Sequence, residues 1–345
     1  MKPLPFATPQ LPGFRGVLRA RDADFEVEEL PLYPASGTGE HVFVTIRRAG
    51  LTTDETCRAL AELFGMRARD IGFAGMKDKR AVTTQRFSLH LPTVATDDVA
   101  ARVHEGLGVE VLAVARHPHK LRRGHLLANR FDIRLRDVDA GADERARGIA
   151  HALARTGLPN YFGPQRFGDG GKNVARGRAL LQGEPSALQT AWAGRVLASA
   201  LQADLFNTWL AERIDAGRFR MLELGDVAKK TANGALFDVE DPRLEEQRLE
   251  RGEIAISGPI YGARMRAASG APGERERELL ERAGLALSDF AQARLDGDRR
   301  AASVAVQDLA ITTEDGALRL RFALPKGSFA TALLRELFKD DTRVA

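Results

Sequence analysis

Strand patterns gathered near both ends of the chain, around a helix-rich middle, predict an α+β protein whose two ends share one sheet. Three observations carry that reading. Residues 24–30 alternate, with Phe25 and Val27 on one face and Glu26 and Glu28 on the other. Residues 318–324 alternate in the same style as residues 131–136, far earlier in the chain. Between them, residues 141–156 and 186–216 read as helices, the second with Leu197, Leu201, Leu205 and Trp209 at four-residue steps on a core face. If the last strand completes the first sheet, the chain divides into 1–157, an inserted domain at 158–302, and 303–345.

Taken in order, residues 16–19 form a short extended piece ending in Arg19, followed by the strand at 24–30 and a second at 41–46. Thr52 and Glu55 have capping-box spacing, and Cys57, Leu60, Ala61 and Phe64 continue a helix that Gly65 can end. Residues 86–91 alternate again and place Phe87, Leu89 and Leu91 inward. Residues 221–265 are irregular and lean toward strand. Residues 269–273 read as a breaker before a charged helix over 274–295. A terminal helix follows 324–331, with Ser328 as its cap and Leu333, Leu334, Leu337 and Phe338 as its apolar stripe.

At 345 residues the chain has room for about two cores. Its 44% apolar and 28% charged residues are those of an ordinary globular protein, and a pI near 9.4 leans toward anionic partners. Cys57 is the single cysteine, which excludes a disulfide framework and a thiol metal cluster. The Pro-rich first residues do not read as a signal peptide, and no apolar run approaches a membrane span, so a cytoplasmic address and no membrane partner are expected. Neither a P-loop nor a dinucleotide fingerprint is present, so a nucleotide cofactor has no support.

Chemistry concentrates at residues 72–83, where Asp78 sits among Lys77, Lys79 and Arg80 after a small-residue turn. Cations beside a carboxylate stabilise its charge and attract a polyanion to it. Such a quartet can also be a solvated charged turn. A second concentration runs over residues 116–136, where seven Lys and Arg residues face one acid, Asp132, with His117, His119 and His125 interleaved. That stripe reads as a footprint for a phosphate backbone, the alternative being a charged edge strand. A third lies at residues 158–168, where Tyr161, Phe162 and Phe167 mix with amides and Arg166. These could stack on splayed bases or anchor a turn.

The stretches G-F-A-G-M-K-D-K-R-A-V-T-T-Q at 72–85, N-R-F at 129–131, P-N-Y-F-G-P-Q-R-F-G at 159–168 and L-P-K-G-S-F-A-T-A-L-L-R-E-L at 324–337 together resemble the TruD family of tRNA pseudouridine synthases. The resemblance spans nearly the whole chain. It implies a pseudouridine-synthase fold with a mixed, mainly antiparallel sheet and an inserted α/β TRUD domain. It also implies isomerisation of uridine 13 in the tRNA D-arm, with tRNA as partner, no cofactor, no metal and a monomeric enzyme. Asp78 becomes the catalytic aspartate. Phe25, Asn129 and Phe329 fall where the family lines its uridine pocket, and Phe131 where a base-stacking ring is placed. Arg19 takes a basic position that is commonly Lys, keeping the charge and adding bidentate geometry. The carboxylate would attack C6 of uracil or C1′ of ribose, or remove a ribose proton; each route needs it ionised and positioned. A non-catalytic RNA-binding protein on the same scaffold, and a nuclease using His117 and His119, are the alternatives.

Overall fold

In the computed structural model, which describes residues 3–183 and 191–340, the capping box at Thr52 forms as its spacing suggests. The Thr52 hydroxyl accepts from the Glu55 N–H at 3.1 Å and Glu55 accepts from the Thr52 N–H at 2.8 Å. The elements in chain order begin with β1 (Phe25–Pro31), β2 (His41–Ala49), α1 (Thr53–Leu63), β3 (Gly72–Phe73) and β4 (Val82–His90). Next come α2 (Thr96–Leu107), β5 (Glu110–His117), β6 (Leu126–Leu135) and α3 (Ala142–Thr156). The middle of the chain holds β7 (Leu158–Pro159), α4 (Lys172–Leu181), α5 (Ala191–Asp215), β8 (Val227–Lys230), β9 (Leu236–Asp238) and α6 (Pro242–Glu250). It continues through β10 (Ile254–Ile260), α7 (Gly270–Arg282), α8 (Leu287–Gln292), β11 (Asp298–Ala301) and β12 (Ser303–Val304). The chain closes with β13 (Gln307–Glu314), β14 (Ala317–Pro325) and α9 (Ala330–Phe338).

These elements form two compact units. One comprises Phe14–Ala146 and Val306–Gly327; the other comprises the described residues of Met1–Gly13, Arg147–Ala305 and Ser328–Ala345. The first unit is built on a sheet ordered β13-β14-β6-β1-β4-β2-β5, with β3 also paired to β4. β1 and β4 run parallel, whereas the other neighbours are antiparallel, so the sheet is mixed and mainly antiparallel. The similarity noticed between residues 131–136 and 318–324 reflects direct pairing: Phe322 lies opposite Phe131 and Leu318 opposite Leu135. One face of the sheet is sealed by α1 and α2, with Val44, Ile46, Leu60, Phe87 and Val99 buried between them.

β6 is an interior strand, which corrects the edge-strand alternative. Its charges are matched by partners on neighbouring strands, Arg130 with Glu28 at 2.7 Å and Asp132 with Arg319 and Arg321 at 2.7 and 3.0 Å, and just beyond its end Arg136 pairs with Asp24 at 2.6 Å. The Arg136 guanidinium in turn holds the Asp24 carboxyl below its ordinary range. The arginines at 130, 134 and 136 are therefore paired with acids that sequence distance conceals, and the stripe's basic residues before β6 are not, among the described residues.

The second unit carries a four-stranded antiparallel sheet, β11-β10-β8-β9, and a two-stranded ladder of β12 with β7. The expected stripe of α5 is buried, and Trp209 packs so closely on β10 that a Cβ at Gly258 would meet its ring at 2.3 Å. The part of the expected helix at residues 186–190 lies outside the described residues. α9 belongs to this unit and not to the sheet of the first: Glu336 accepts from the Ala7 N–H at 2.7 Å and the Thr8 hydroxyl at 2.9 Å. Its N-cap residue is Phe329 rather than Ser328.

Three local expectations are corrected. Residues 269–273 open α7 instead of breaking the chain, since Pro272 sits in the first turn, where its missing N–H has no helical partner to lose. The helix expected over 274–295 is split into α7 and α8 around Gly284, whose φ of 67° is the left-handed stop conformation. The irregular span 221–265 contains α6, capped by Asp241 and started by Pro242. Among the described residues, no helix is long and apolar enough to cross a membrane.

Burial, foremost, pushes the Cys57 thiol up to about 12. Native protein at pH 8 is therefore expected to resist iodoacetamide, with complete labelling in denaturant; rapid labelling of the folded chain would contradict the packing of α1 on the sheet.

Candidate active site

The motif at residues 72–83 forms a loop whose two ends belong to the same sheet. β3 pairs with Phe87 and Ser88 of β4, and the chain then doubles back to re-enter at Val82. Gly72 is required for the close approach, because a Cβ there would lie 2.3 Å from Ser88 Oγ and 2.4 Å from the Leu121 carbonyl. Beneath the loop, three strands place polar side chains on the otherwise apolar face: Glu29 on β1, Gln85 on β4 and Arg48 on β2.

These residues pin the loop from below. Lys77 Nζ donates to Glu29 Oε2 at 2.7 Å, and both side chains are almost wholly buried, 4% and 2% exposed. The Lys77 N–H donates to Thr53 Oγ1 at 2.9 Å, tying the loop to the first turn of α1. Gln85 donates to the Gly75 carbonyl at 2.6 Å and accepts from Thr53 and Arg48 at 3.0 and 2.9 Å. Lys77 is thus directed inward, which leaves the next residue, Asp78, to point out.

Asp78 is exposed, with 44% of its side chain accessible, and its Oδ2 accepts from Arg19 Nη2 at 3.0 Å. The Arg19 guanidinium also lies 4.1 Å above the Phe25 ring, a cation–π contact that fixes its direction. Arg19 has a φ of 55°, a strained conformation for a side chain of this size. The other cations near Asp78 are otherwise engaged. Lys79 pairs with Glu55 at 2.9 Å, and Arg80 donates to the Arg19 carbonyl at 3.4 Å. The Thr52 N–H, then Lys79 and the Thr52 hydroxyl, hold the Glu55 carboxyl down at about 2. The carboxylate's direct ionic partner is therefore Arg19.

An apolar floor continues from Phe25. Its ring meets Phe131 edge-on at 6.2 Å, and Phe131 stacks on Phe322 at 5.1 Å. Phe25 and Phe131 are both buried. Asn129, opposite Glu29 on β6, has a buried Oδ1 without a hydrogen-bond partner. Thr83 Oγ1 and two nitrogens of Arg48 on neighbouring strands are likewise buried and unpartnered, and burial pushes the Arg48 guanidinium down to about 10. Phe329 belongs to the second unit, where its ring lies 6.2 Å from Phe162.

The aromatic–amide cluster around Phe162 has its amides committed inside the second unit. Asn160 bonds the Ala301 carbonyl at 3.0 Å and Arg300 Nη2 at 2.7 Å, and Asn207 bonds both the N–H and the carbonyl of Phe162. Tyr161 and Phe167 are core residues, so the cluster anchors a turn.

Sequence reasoning missed Glu29, Gln85, Arg48 and Thr53. The first three were detectable by parity: each falls on the inward-facing register of its strand, after Phe25 and Val27, before Phe87, and after Val44 and Ile46. A polar side chain at an inward position is the informative exception to strand alternation.

An arginine-paired carboxylate on a pinned loop lies beside an aromatic floor on a mixed, mainly antiparallel sheet, and the relatives of this chain are pseudouridine synthases. The chain belongs to the TruD family: the model of that family, tRNA pseudouridine synthase D, matches residues 6–195 and 193–337. It is 46% identical to the tRNA pseudouridine synthase D of Anaeromyxobacter dehalogenans strain 2CP-C, over all of this chain and 99% of the relative. It is 42% identical to the protein of that name from Thermus thermophilus, over 97% of this chain and 92% of the relative. The fold matches a solved structure bearing the same name from Methanosarcina mazei with a TM-score of 0.75, over 98% and 97% of the two chains at 22% identity.

Removing one partner of a buried ion pair strands the other charge, at a cost of roughly 3–5 kcal/mol, whereas replacing both with apolar groups is far milder. Lys77→Met is accordingly expected to lower Tm sharply, and Lys77→Met with Glu29→Met to recover most of the loss. Equal destabilisation of the single and double variants in thermal melts would contradict a pair that pins the loop.

Proposed function

We propose that this protein is an isomerase that converts uridine to pseudouridine in tRNA, acting on uridine 13 of the D-arm through the Asp78 carboxylate. The observation that carries the proposal is the presentation of Asp78: outward-facing, on a loop pinned from below, and aimed by Arg19 over Phe25. The family relationship supports the reaction. A uridine must leave its stack to reach such a group. Once it has, Phe25 and Phe131 supply apolar surface for the base. The unpartnered Asn129 Oδ1 can accept the uracil N3–H.

Isomerisation breaks the N1–C1′ bond and joins C1′ to C5, with no net oxidation and no group added or lost. A positioned carboxylate suffices for covalent attack on C6 or C1′, or for removal of a ribose proton. Arg19, resting on the Phe25 ring, holds the carboxylate in one direction. The protein acts as a monomer, in the cytoplasm, without a cofactor.

Incubating a tRNA transcript with the wild type and with Asp78→Ala, then mapping pseudouridine by carbodiimide primer extension, tests this directly. Wild type is expected to modify position 13. The variant should lose at least roughly 10³-fold in rate while binding tRNA within about threefold. Modification surviving in Asp78→Ala would overturn the catalytic assignment. Binding without modification by both proteins would favour an RNA-binding role, and strand cleavage a nuclease.

A further inference from the structure

Cross-strand pairing uses up the arginines of β6, which moves the uncommitted positive charge to the preceding loop. Lys120, Arg122 and Arg123 form no ion pair among the described residues. Lys120 donates to the Arg69 carbonyl, and Arg123 lies over the Phe73 ring. Asp70, the acid close enough to feel Lys120, is already bound by Arg67 at 2.7 Å. Beside this loop is an open cleft of about 500 Å³ whose walls include Tyr33, His117, His119, Lys120, Arg122 and His125, with no acidic side chain.

The cleft is a built surface. The Tyr33 hydroxyl is bonded to His125 Nδ1 at 2.7 Å, and the His117 ring is stacked between Tyr33 at 5.3 Å and Phe43 at 4.5 Å. His117 Nδ1 is buried without a hydrogen-bond partner, a polar group whose demand the protein itself leaves unmet. Position along the sheet separates this cleft from Asp78. His117 pairs with His41, which pairs with His90 at the end of β4, whereas the Asp78 loop enters β4 at Val82. At about 3.3 Å per residue, β4 spans roughly 25 Å from Val82 to His90.

We infer that this cleft is a second RNA-binding site, taking a backbone phosphate of the substrate several nucleotides from the reacting uridine. The inference rests on the proposed RNA substrate. Lys120 and Arg122, two cations without an acidic partner on the cleft wall, together with the imidazoles and the tyrosine hydroxyl around them, suit a phosphodiester. A contact so far from the chemistry binds ground state and transition state alike. It therefore acts on substrate affinity and not on the chemical step.

The test is Lys120→Gln with Arg122→Gln, set against the charge-keeping pair Lys120→Arg with Arg122→Lys, in the full chain with a tRNA transcript. In the Gln pair, KM should rise roughly tenfold with kcat unchanged. The slope of log Kd against log salt should shrink by about 1–2, as one or two phosphate contacts are lost. The charge-keeping pair should restore both, and thermal melts of all variants should coincide. An unaltered salt slope in the Gln pair, or a fall in kcat at constant KM, would overturn the site. Binding and its salt slope are read separately from modification. A wild type that binds tRNA without modifying it thus refutes the proposed reaction and leaves the phosphate site to be judged on the slope alone.

Discussion

The buried Lys77–Glu29 pair is the constraint from which the site follows. Two opposite charges held away from water are stable only with close geometry and further hydrogen bonds, and here Gln85 and Thr53 complete the network. The consequence is directional. With Lys77 drawn into the core and its N–H bound to the helix, the following side chain has to face solvent, and that side chain is Asp78. A loop entered through Ala74 and Gly75 would otherwise be free to sample many arrangements. The network converts it into a fixed platform built on rigid strands and the N-terminal turn of a capped helix.

Above that platform, electrostatics is divided among the cations with little overlap. Lys77 supports the loop, Lys79 ties it to Glu55, and Arg19 engages the carboxylate while resting on Phe25. The same economy governs β6, whose charged face is knitted to β1 and β14 by ion pairs, so that positive charge remains available in the loop before it. Both cases show that a cluster of charges in sequence is not a cluster in function until its partners are known.

What was legible in the sequence was local. The capping box at Thr52, the alternation around Phe25 and the stripe of α5 each depend on residues within a turn or two of one another, and each is present as read. The matching style of residues 131–136 and 318–324 proved to be pairing, because strands that share a sheet face similar environments. Less visible were features set by distant partners. Arg130 and Arg136 looked free because Glu28 and Asp24 lie about a hundred residues away. α6, mostly polar and lightly packed, offers little periodicity to detect, and α7 begins with residues that elsewhere end helices. Within the site, Asp78 stood out by its basic neighbours and took its role, as Arg19 did, from the family resemblance, whereas Glu29 and Gln85 are marked only by polarity on an inward-facing register.

The most direct measurement is a structure of the Asp78→Asn protein bound to its tRNA. The expected result is uridine 13 turned out of its stack over Phe25 and Phe131. The side chain at position 78 should lie about 3–3.5 Å from C6 or C1′ of that nucleotide, with the Lys77–Glu29 pair intact below it. A target uridine still stacked in the D-arm, or a different carboxylate at the sugar, would contradict the role assigned to the loop.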